Sequence, residues 1–205
     1  MKKGMIFFAA LCLVMIVISG CGQADETEPP NCTTVEIKDD GAVVYHLAGE
    51  FDREYYSLDE LTAMAKEEAA RFQTAGNTDD SKSQITVEGK EYRTDEKRLA
   101  VITYRFDGLE SFAEFTGTFW YRGTLKQAME LGYLSETELC SVKDGKAMSR
   151  EQLKKAEKSQ LLITDIHAVL TLPHDVAGVS IGVVPGEKSA DTSGVEGKAF
   201  ILLAK

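Results

Sequence analysis

The N-terminal run Met1–Cys21 constrains this chain more than any other stretch, because it determines the compartment in which the rest must fold. Lys2 and Lys3 give it a positively charged start, and the 15 residues of Met5–Ser19 are apolar apart from the last. An apolar run of this length is shorter than the ~20 residues that a membrane-spanning helix needs. A charged start, a short apolar core and small residues after it are typical of a secretory signal peptide. The sequence therefore predicts export, with residues 1–20 removed.

The run ends in four residues that follow a recognisable order, Ile18, Ser19, Gly20 and Cys21. An aliphatic residue and two small residues before a cysteine resemble the lipobox of bacterial lipoproteins, in which the thiol receives a diacylglyceryl group and cleavage leaves that cysteine first. One acyl chain holds a protein only marginally at a membrane, whereas two anchor it stably. The resemblance implies lipid attachment at Cys21, on the extracytoplasmic face of the cell membrane. An uncleaved anchor and an ordinary signal peptide with a chance cysteine are the alternatives.

The charge of the mature chain excludes one class of partner. Loss of Lys2 and Lys3 with the signal leaves 21 basic and 33 acidic side chains, a net charge of −12. Such a surface repels phosphate backbones, so nucleic acid is not an expected partner. The hydrophobic fraction of 43% excludes wholesale disorder, and the remaining length is enough for one packed core.

Two regions are predicted after the signal. Residues 21–33 are predicted to be the lipidated cysteine and a flexible tether, since residues 22–33 contain three acids and the adjacent Pro29 and Pro30. Residues 34–205 are predicted to form a single domain.

Only two cysteines are left for a disulfide, because Cys12 leaves with the signal and Cys21 is acylated. Outside the cytoplasm Cys32 and Cys140 could pair. Against this, Cys32 lies in the predicted tether, and thiols distant in sequence need not meet in space. The sequence has no C-x-x-C motif, so neither a redox pair nor a zinc site is predicted.

The strongest local patterns lie at the start of the folded part. Apolar residues alternate over 34–47 on both sides of the turn residues 39–41, which predicts a β-hairpin. Ser57 and Glu60 then form a capping box ahead of an apolar stripe at helical spacing, which predicts a helix over 58–72.

The rest of the chain predicts shorter elements. Helices are expected at 109–115, 125–131 and 149–158, and strands at 85–88 with a turn at Gly89, then at 99–105, 161–164, 167–172, 176–184 and 199–204. Because helices and strands do not alternate regularly, the sequence predicts an α+β fold, a mainly antiparallel sheet with helices packed on one face.

The run Phe51–Tyr56, followed by Glu60-Leu61, is similar to a motif in uncharacterised lipoproteins of anaerobic Firmicutes. Also similar are a strand ending in Tyr104, the segment from Phe119 to Gly132 and a closing hydrophobic strand before a terminal lysine. The resemblance spans most of the mature chain. It implies no activity, cofactor or catalytic residue, and an anaerobic host disfavours the disulfide.

Residues 178–182 (GVSIG) match the G-x-S-x-G nucleophile elbow. That motif places its serine on a strand-to-helix turn and needs a histidine later in the chain. Here Val-Val-Pro-Gly follows, and His174 is the last histidine. The match is therefore interpreted as a strand whose apolar side chains face the core, namely Val179, Ile181 and Val183.

Asp165 and His167 would project from one face of a strand, as a histidine with an orienting carboxylate or as two metal ligands. His46 or His174 could complete such a site, but neither spacing requires it, and a surface histidine is the simpler interpretation. No metal site, cofactor or catalytic residue is predicted, since no serine–lysine pair, H-E-x-x-H helix or phosphate loop occurs.

Aromatic residues are concentrated between 106 and 121. Phe112, Phe115 and Phe119 recur at the spacing of a core-facing helical stripe. Trp120 and Tyr121 follow the stripe and are the candidate ligand contacts, for a glycan or an apolar ligand.

These patterns favour a non-catalytic, lipid-anchored protein of the extracytoplasmic face that binds an unknown protein or envelope ligand. An envelope-acting enzyme of unknown class and a glycan-binding module using exposed aromatic residues are the alternatives.

Overall fold

The computed structural model describes residues 32–75, 84–93 and 97–204. The signal run, the lipobox residues Ile18, Ser19 and Gly20, and the lipid-attachment residue Cys21 lie outside the described residues. None of the helices in the described ranges is long and apolar enough to cross a bilayer.

Two sheets and four helices make up the described part. The helices are α1 (Leu58–Ala75), α2 (Leu109–Thr116), α3 (Leu125–Glu130) and α4 (Arg150–Lys155). The first six strands are β1 (Thr34–Ile37), β2 (Val43–Glu50), β3 (Thr86–Arg93), β4 (Arg98–Phe106), β5 (Trp120–Thr124) and β6 (Leu139–Ser141). The last six are β7 (Gln160–Thr164), β8 (Val169–Thr171), β9 (Val176–Ser180), β10 (Val184–Pro185), β11 (Ser189–Asp191) and β12 (Ala199–Leu203).

The larger sheet has the strand order β10-β11-β8-β1-β2-β4-β3, and the smaller sheet has the order β5-β7-β12-β9-β6. Among the described strands, β1 and β8 pair in parallel, with Val35 opposite Leu170, and the other pairs are antiparallel. The predicted α+β class with mainly antiparallel pairing is confirmed at this level.

Local chemistry accounts for the turns and helix starts that the sequence predicts. In the β1–β2 turn, Asp40 Oδ1 accepts the backbone N–H of Ala42 at 3.0 Å, and Gly41 has a φ of 93°, which favours glycine. Ser57 Oγ accepts the N–H of Glu60 at 3.3 Å at the start of α1. Thr124 and Ser149 head reciprocal capping boxes at α3 and α4.

The smaller sheet is buried on both faces. Leu162 in β7 and Ile201 in β12 join the apolar cluster that contains Leu170 of the larger sheet. Their strand neighbours point the other way, into a second cluster closed by α3: Leu161, Ile163, Phe200 and Leu202. Because both faces of β7 and β12 are covered, the sequences of these strands are continuous apolar runs and do not alternate between apolar and polar residues.

Several predicted elements differ from the structure. Gly89 does not turn the chain but lies within β3, opposite Ile102 of β4. The predicted strand over 176–184 ends at Ser180, because Gly182 has a φ of 90° and turns the chain. Ile181 before it is 78% exposed, so the expectation that it faces the core is wrong. The strands β5, β6 and β11 were not predicted.

Candidate functional site

A groove of about 690 Å³ lies between α1 and the inner face of β2 and β4. It is referred to below as the α1 groove. Its position follows from how α1 is seated, because the missing side chain of Gly89 lets Thr62 of α1 approach β3. The helix therefore covers β3, and the last residues of β2 are left uncovered beside it.

The floor and one wall of the α1 groove are apolar. Ala100 and Ile102 of β4 form the floor with Leu47 of β2, and Met64 lies on the wall formed by α1. Leu47 is 37% exposed and Met64 is 67% exposed. Apolar side chains that stay open to solvent inside a concave surface are typical of a binding site.

The polar groups of the groove come mainly from one face of α1. The hydroxyl of Tyr104 donates to Glu68 Oε2 at 3.2 Å, and Arg71 is paired with Glu67 at 2.7 Å. The pKa of Tyr104 is raised to about 12, first by burial and then by the charge of Glu68 and the hydrogen bond to it. The phenol is therefore a neutral donor at physiological pH.

The groove combines apolar side chains with a small set of polar groups. The residues that line it include no serine, threonine, cysteine, lysine or histidine, and their polar side chains are carboxylates, the guanidinium of Arg71 and the phenol of Tyr104. Its described polar groups can donate hydrogen bonds to a ligand on the apolar floor or accept hydrogen bonds from it.

Trp120 and Tyr121, the ligand contacts predicted from the sequence, lie outside the groove on β5. They point to opposite faces of the smaller sheet, and both are half-buried. The Trp120 ring packs 5.7 Å from Phe112, and its Nε1–H donates to Thr118 Oγ1 at 2.9 Å. The Tyr121 ring lies 5.0 Å from Tyr133. The structure thus gives both side chains packing roles.

Of the three phenylalanines predicted to form a core-facing helical stripe, only the two in α2 do so. Phe112 is fully buried, and Phe115 packs against the same cluster with its ring 5.4 Å from Phe72 of α1. Phe119 lies beyond the end of α2 and packs instead against the second cluster, because Gly117 ends the helix in a left-handed conformation.

The serine of the GVSIG motif has a structural partner. Ser180 is buried, and its Oγ accepts the backbone N–H of Phe200 at 3.0 Å. It ends a strand and precedes a turn, and no helix follows it. This geometry does not form a nucleophile elbow.

Asp165 and His167 are not brought together in the way the sequence suggested, because they lie in the connection between β7 and β8 and not on a strand. Asp165 Oδ1 accepts the N–H of Phe119 at 2.8 Å, and His167 Nδ1 donates to the carbonyl of Ser193 at 3.3 Å. Within the described ranges, no group of three or more His, Cys, Asp or Glu side chains could hold a metal ion.

Cys32 and Cys140 are both half-buried thiols, and no disulfide joins them in the described structure. Cys32 precedes β1 of the larger sheet, whereas Cys140 lies in β6, at the edge of the smaller sheet. Cys32 therefore lies just before the larger sheet, whereas Cys140 is part of the smaller one.

No family model matches the chain, and neither a curated protein nor a solved structure matches it.

Proposed function

We propose that this chain is a lipid-anchored protein of the extracytoplasmic face of the cell membrane, held by a diacylglyceryl group on Cys21. In this proposal residues 34–205 form a single, non-catalytic domain that binds a protein or an envelope component. The signal run and the residues Ile18, Ser19 and Gly20 support the anchor. The acidic body argues against nucleic acid as the ligand.

The observation that carries the binding role is the α1 groove, in which an apolar floor of Leu47, Ala100 and Ile102 lies beside polar side chains of α1. We propose that α1 and α2 are packed on the same face of the larger sheet. On the inner face, Tyr104 donates a hydrogen bond to Glu68 of α1 and packs against Phe115 of α2. Phe106 packs against Phe112 of α2, while Leu47 is left available to a ligand.

The anchor is tested by mass spectrometry of the protein purified from its own cells. The mature N-terminus should begin at Cys21 and carry the added mass of a diacylglyceryl group. Replacement of the cysteine (Cys21→Ser) should abolish the modification and release the protein from the membrane fraction. An unmodified N-terminus on the wild-type protein contradicts the proposal.

The binding role is tested by a photo-crosslinking side chain at Leu47 in the intact, membrane-held protein. We expect irradiation in cells to give a discrete adduct at position 47, identified by mass spectrometry. The same side chain at Asp39, exposed in the β1–β2 turn away from the groove, is the matched control. Met64→Glu places a charge at the groove wall and should reduce the adduct. Equal labelling at positions 47 and 39 would refute a ligand in the groove.

A further inference from the structure

The most exposed aromatic side chains of the described residues lie together in the connection between β2 and α1. Tyr55 is 78% exposed and Tyr56 is 41% exposed, and no other aromatic side chain in the described ranges is as exposed as either. Their ring centroids are 4.9 Å apart, and the Tyr56 ring lies 5.3 Å from that of buried Phe51. The pair therefore forms an outward-facing aromatic surface on a fixed base, the Tyr55–Tyr56 surface.

The strand register places this surface at the end of the larger sheet from which the N-terminal segment leaves. Thr34, the first residue of β1, pairs with His46 of β2. Strand β2 continues to Glu50, four residues past that point, which is about 13 Å at ~3.3 Å per residue. The connection that bears Tyr55 and Tyr56 starts only there. The chain before β1 leaves the sheet at this same end, and the connection between β2 and α1 extends further in that direction.

The length of that segment keeps this end close to an anchor at Cys21. Twelve residues separate Cys21 from Thr34. Fully stretched, they reach about 40 Å, and as a flexible chain they span roughly 19 Å. The Tyr55–Tyr56 surface therefore lies at the end of the sheet to which the segment from Cys21 is attached.

Three basic side chains near the surface are paired with carboxylates, and the exposed Glu54 lies beside Tyr55. Lys97 contacts Glu50 at 3.2 Å, and Arg53 contacts Asp52 at 3.6 Å. Arg98 binds Glu91 and also lies over the Phe51 ring at 5.3 Å. Tyrosine favours the region between lipid headgroups and water, where its ring is buried and its hydroxyl stays hydrated.

We propose that the Tyr55–Tyr56 surface rests in the headgroup region of the bilayer that holds the anchor. The inference depends on the acylation of Cys21 proposed above. Phe51 lines the α1 groove and also supports Tyr56, so this contact sets the orientation of the groove relative to the membrane. Aromatic insertion supplies the contact, and anionic lipid is not required, given the net charge of −12 on the mature chain.

The test uses the acylated full-length mature protein in phosphatidylcholine vesicles, with Cys32→Ser and Cys140→Ser to remove the other thiols. An environment-sensitive fluorophore is attached at Tyr55→Cys in one sample and at Asp39→Cys in the other. Asp39 is exposed in the β1–β2 turn, at the opposite end of the strands. We expect a blue-shifted emission and a loss of intensity with headgroup-nitroxide lipid at position 55, and emission as in water at position 39. Tyr56→Ser should weaken the response at position 55.

The outcomes separate this inference from the proposed anchor. Protein that floats with vesicles but gives the same emission as in water at positions 55 and 39 overturns the membrane contact and leaves the anchor intact. If the protein purified from its own cells with Cys21 intact carries no acyl group and does not float with vesicles, the proposed anchor is overturned. A response at position 55 to soluble wall oligosaccharides, with none to vesicles, identifies a glycan surface and also overturns the membrane contact.

Discussion

A methyl group at Gly89 should destabilise the protein, whereas the same change at Gly49 should not. Both glycines lie within strands on the inner face of the larger sheet, Gly89 opposite Ile102 and Gly49 opposite Ala100. A Cβ at Gly89 would overlap Thr62 Oγ1 and lie 3.2 Å from Thr62 Cβ and 3.3 Å from Ile102 Cδ1. A Cβ at Gly49 meets nothing within 4 Å.

The size of the effect follows from these contacts. Rotation of the Thr62 side chain removes the overlap between its hydroxyl and the new Cβ. The contacts of that Cβ with Thr62 Cβ and Ile102 Cδ1 remain shorter than the ~3.5–4.0 Å optimum, so α1 must shift. Overpacking of this kind costs about 1–3 kcal/mol. The gain of about 0.5–1 kcal/mol from replacing a strand glycine with alanine applies to both variants and cancels between them. The difference between Gly89→Ala and Gly49→Ala is therefore about 1–3 kcal/mol, or roughly 2–12 °C in Tm.

The assay is urea unfolding followed by circular dichroism, on the mature chain with Cys21→Ser. Gly89→Ala should lower the free energy of unfolding, and Gly49→Ala should leave it unchanged or raise it. Adding Thr62→Ala to Gly89→Ala should recover part of the loss, because it removes the overlapping atom. Equal stability of the two single variants would show that α1 is not seated against β3 as described.

Further predictions concern four side chains. Tyr121→Phe should leave the free energy of unfolding unchanged or raise it by about 1 kcal/mol, because the buried Tyr121 hydroxyl has no hydrogen-bond partner in the described structure. Ser180→Ala should cost about 1–3 kcal/mol in urea unfolding, since the N–H of Phe200 then lacks its acceptor. Because the pKa of Tyr104 is about 12 in the folded state and near 10 in the unfolded state, stability should fall from pH 10 to 12, and Tyr104→Phe should flatten that fall in alkaline unfolding. Hydrogen bonds from Arg98 and Arg93 lower the pKa of Glu91 to about 2, so the stability that they contribute should be lost from pH 4.5 towards 2, and Glu91→Gln should remove this dependence in acid unfolding.

The elements that the sequence predicted well are those with local causes. The hairpin turn at Asp40-Gly41, the helix cap at Ser57 and the capping boxes at Thr124 and Ser149 depend on side chains that bond to nearby backbone. Such signals lie within four residues and need no knowledge of the fold.

The elements and sites that the sequence missed have causes distant along the chain. Gly89 looks like a turn residue, but its role is set by Thr62, 27 residues earlier. Strand β5 contains Trp120 and is recognisable only through its partner β7. The α1 groove depends on where one helix sits across two strands, and no spacing of residues predicts that. The exposed Tyr55 and Tyr56 were visible only as part of a degenerate motif.

The parallel pairing of β1 with β8 has a consequence for how a nascent chain reaches its fold. Thr34 and Val169 are neighbours in the sheet although they are 135 positions apart in the sequence. A chain delivered N-terminus first across a membrane cannot complete this pairing until the later residues have crossed. Until then, one edge of β1 has no partner strand, and pairings between distant segments form slowly. If the chain is exported as proposed, the larger sheet is completed only after residues 169–171 have crossed the membrane.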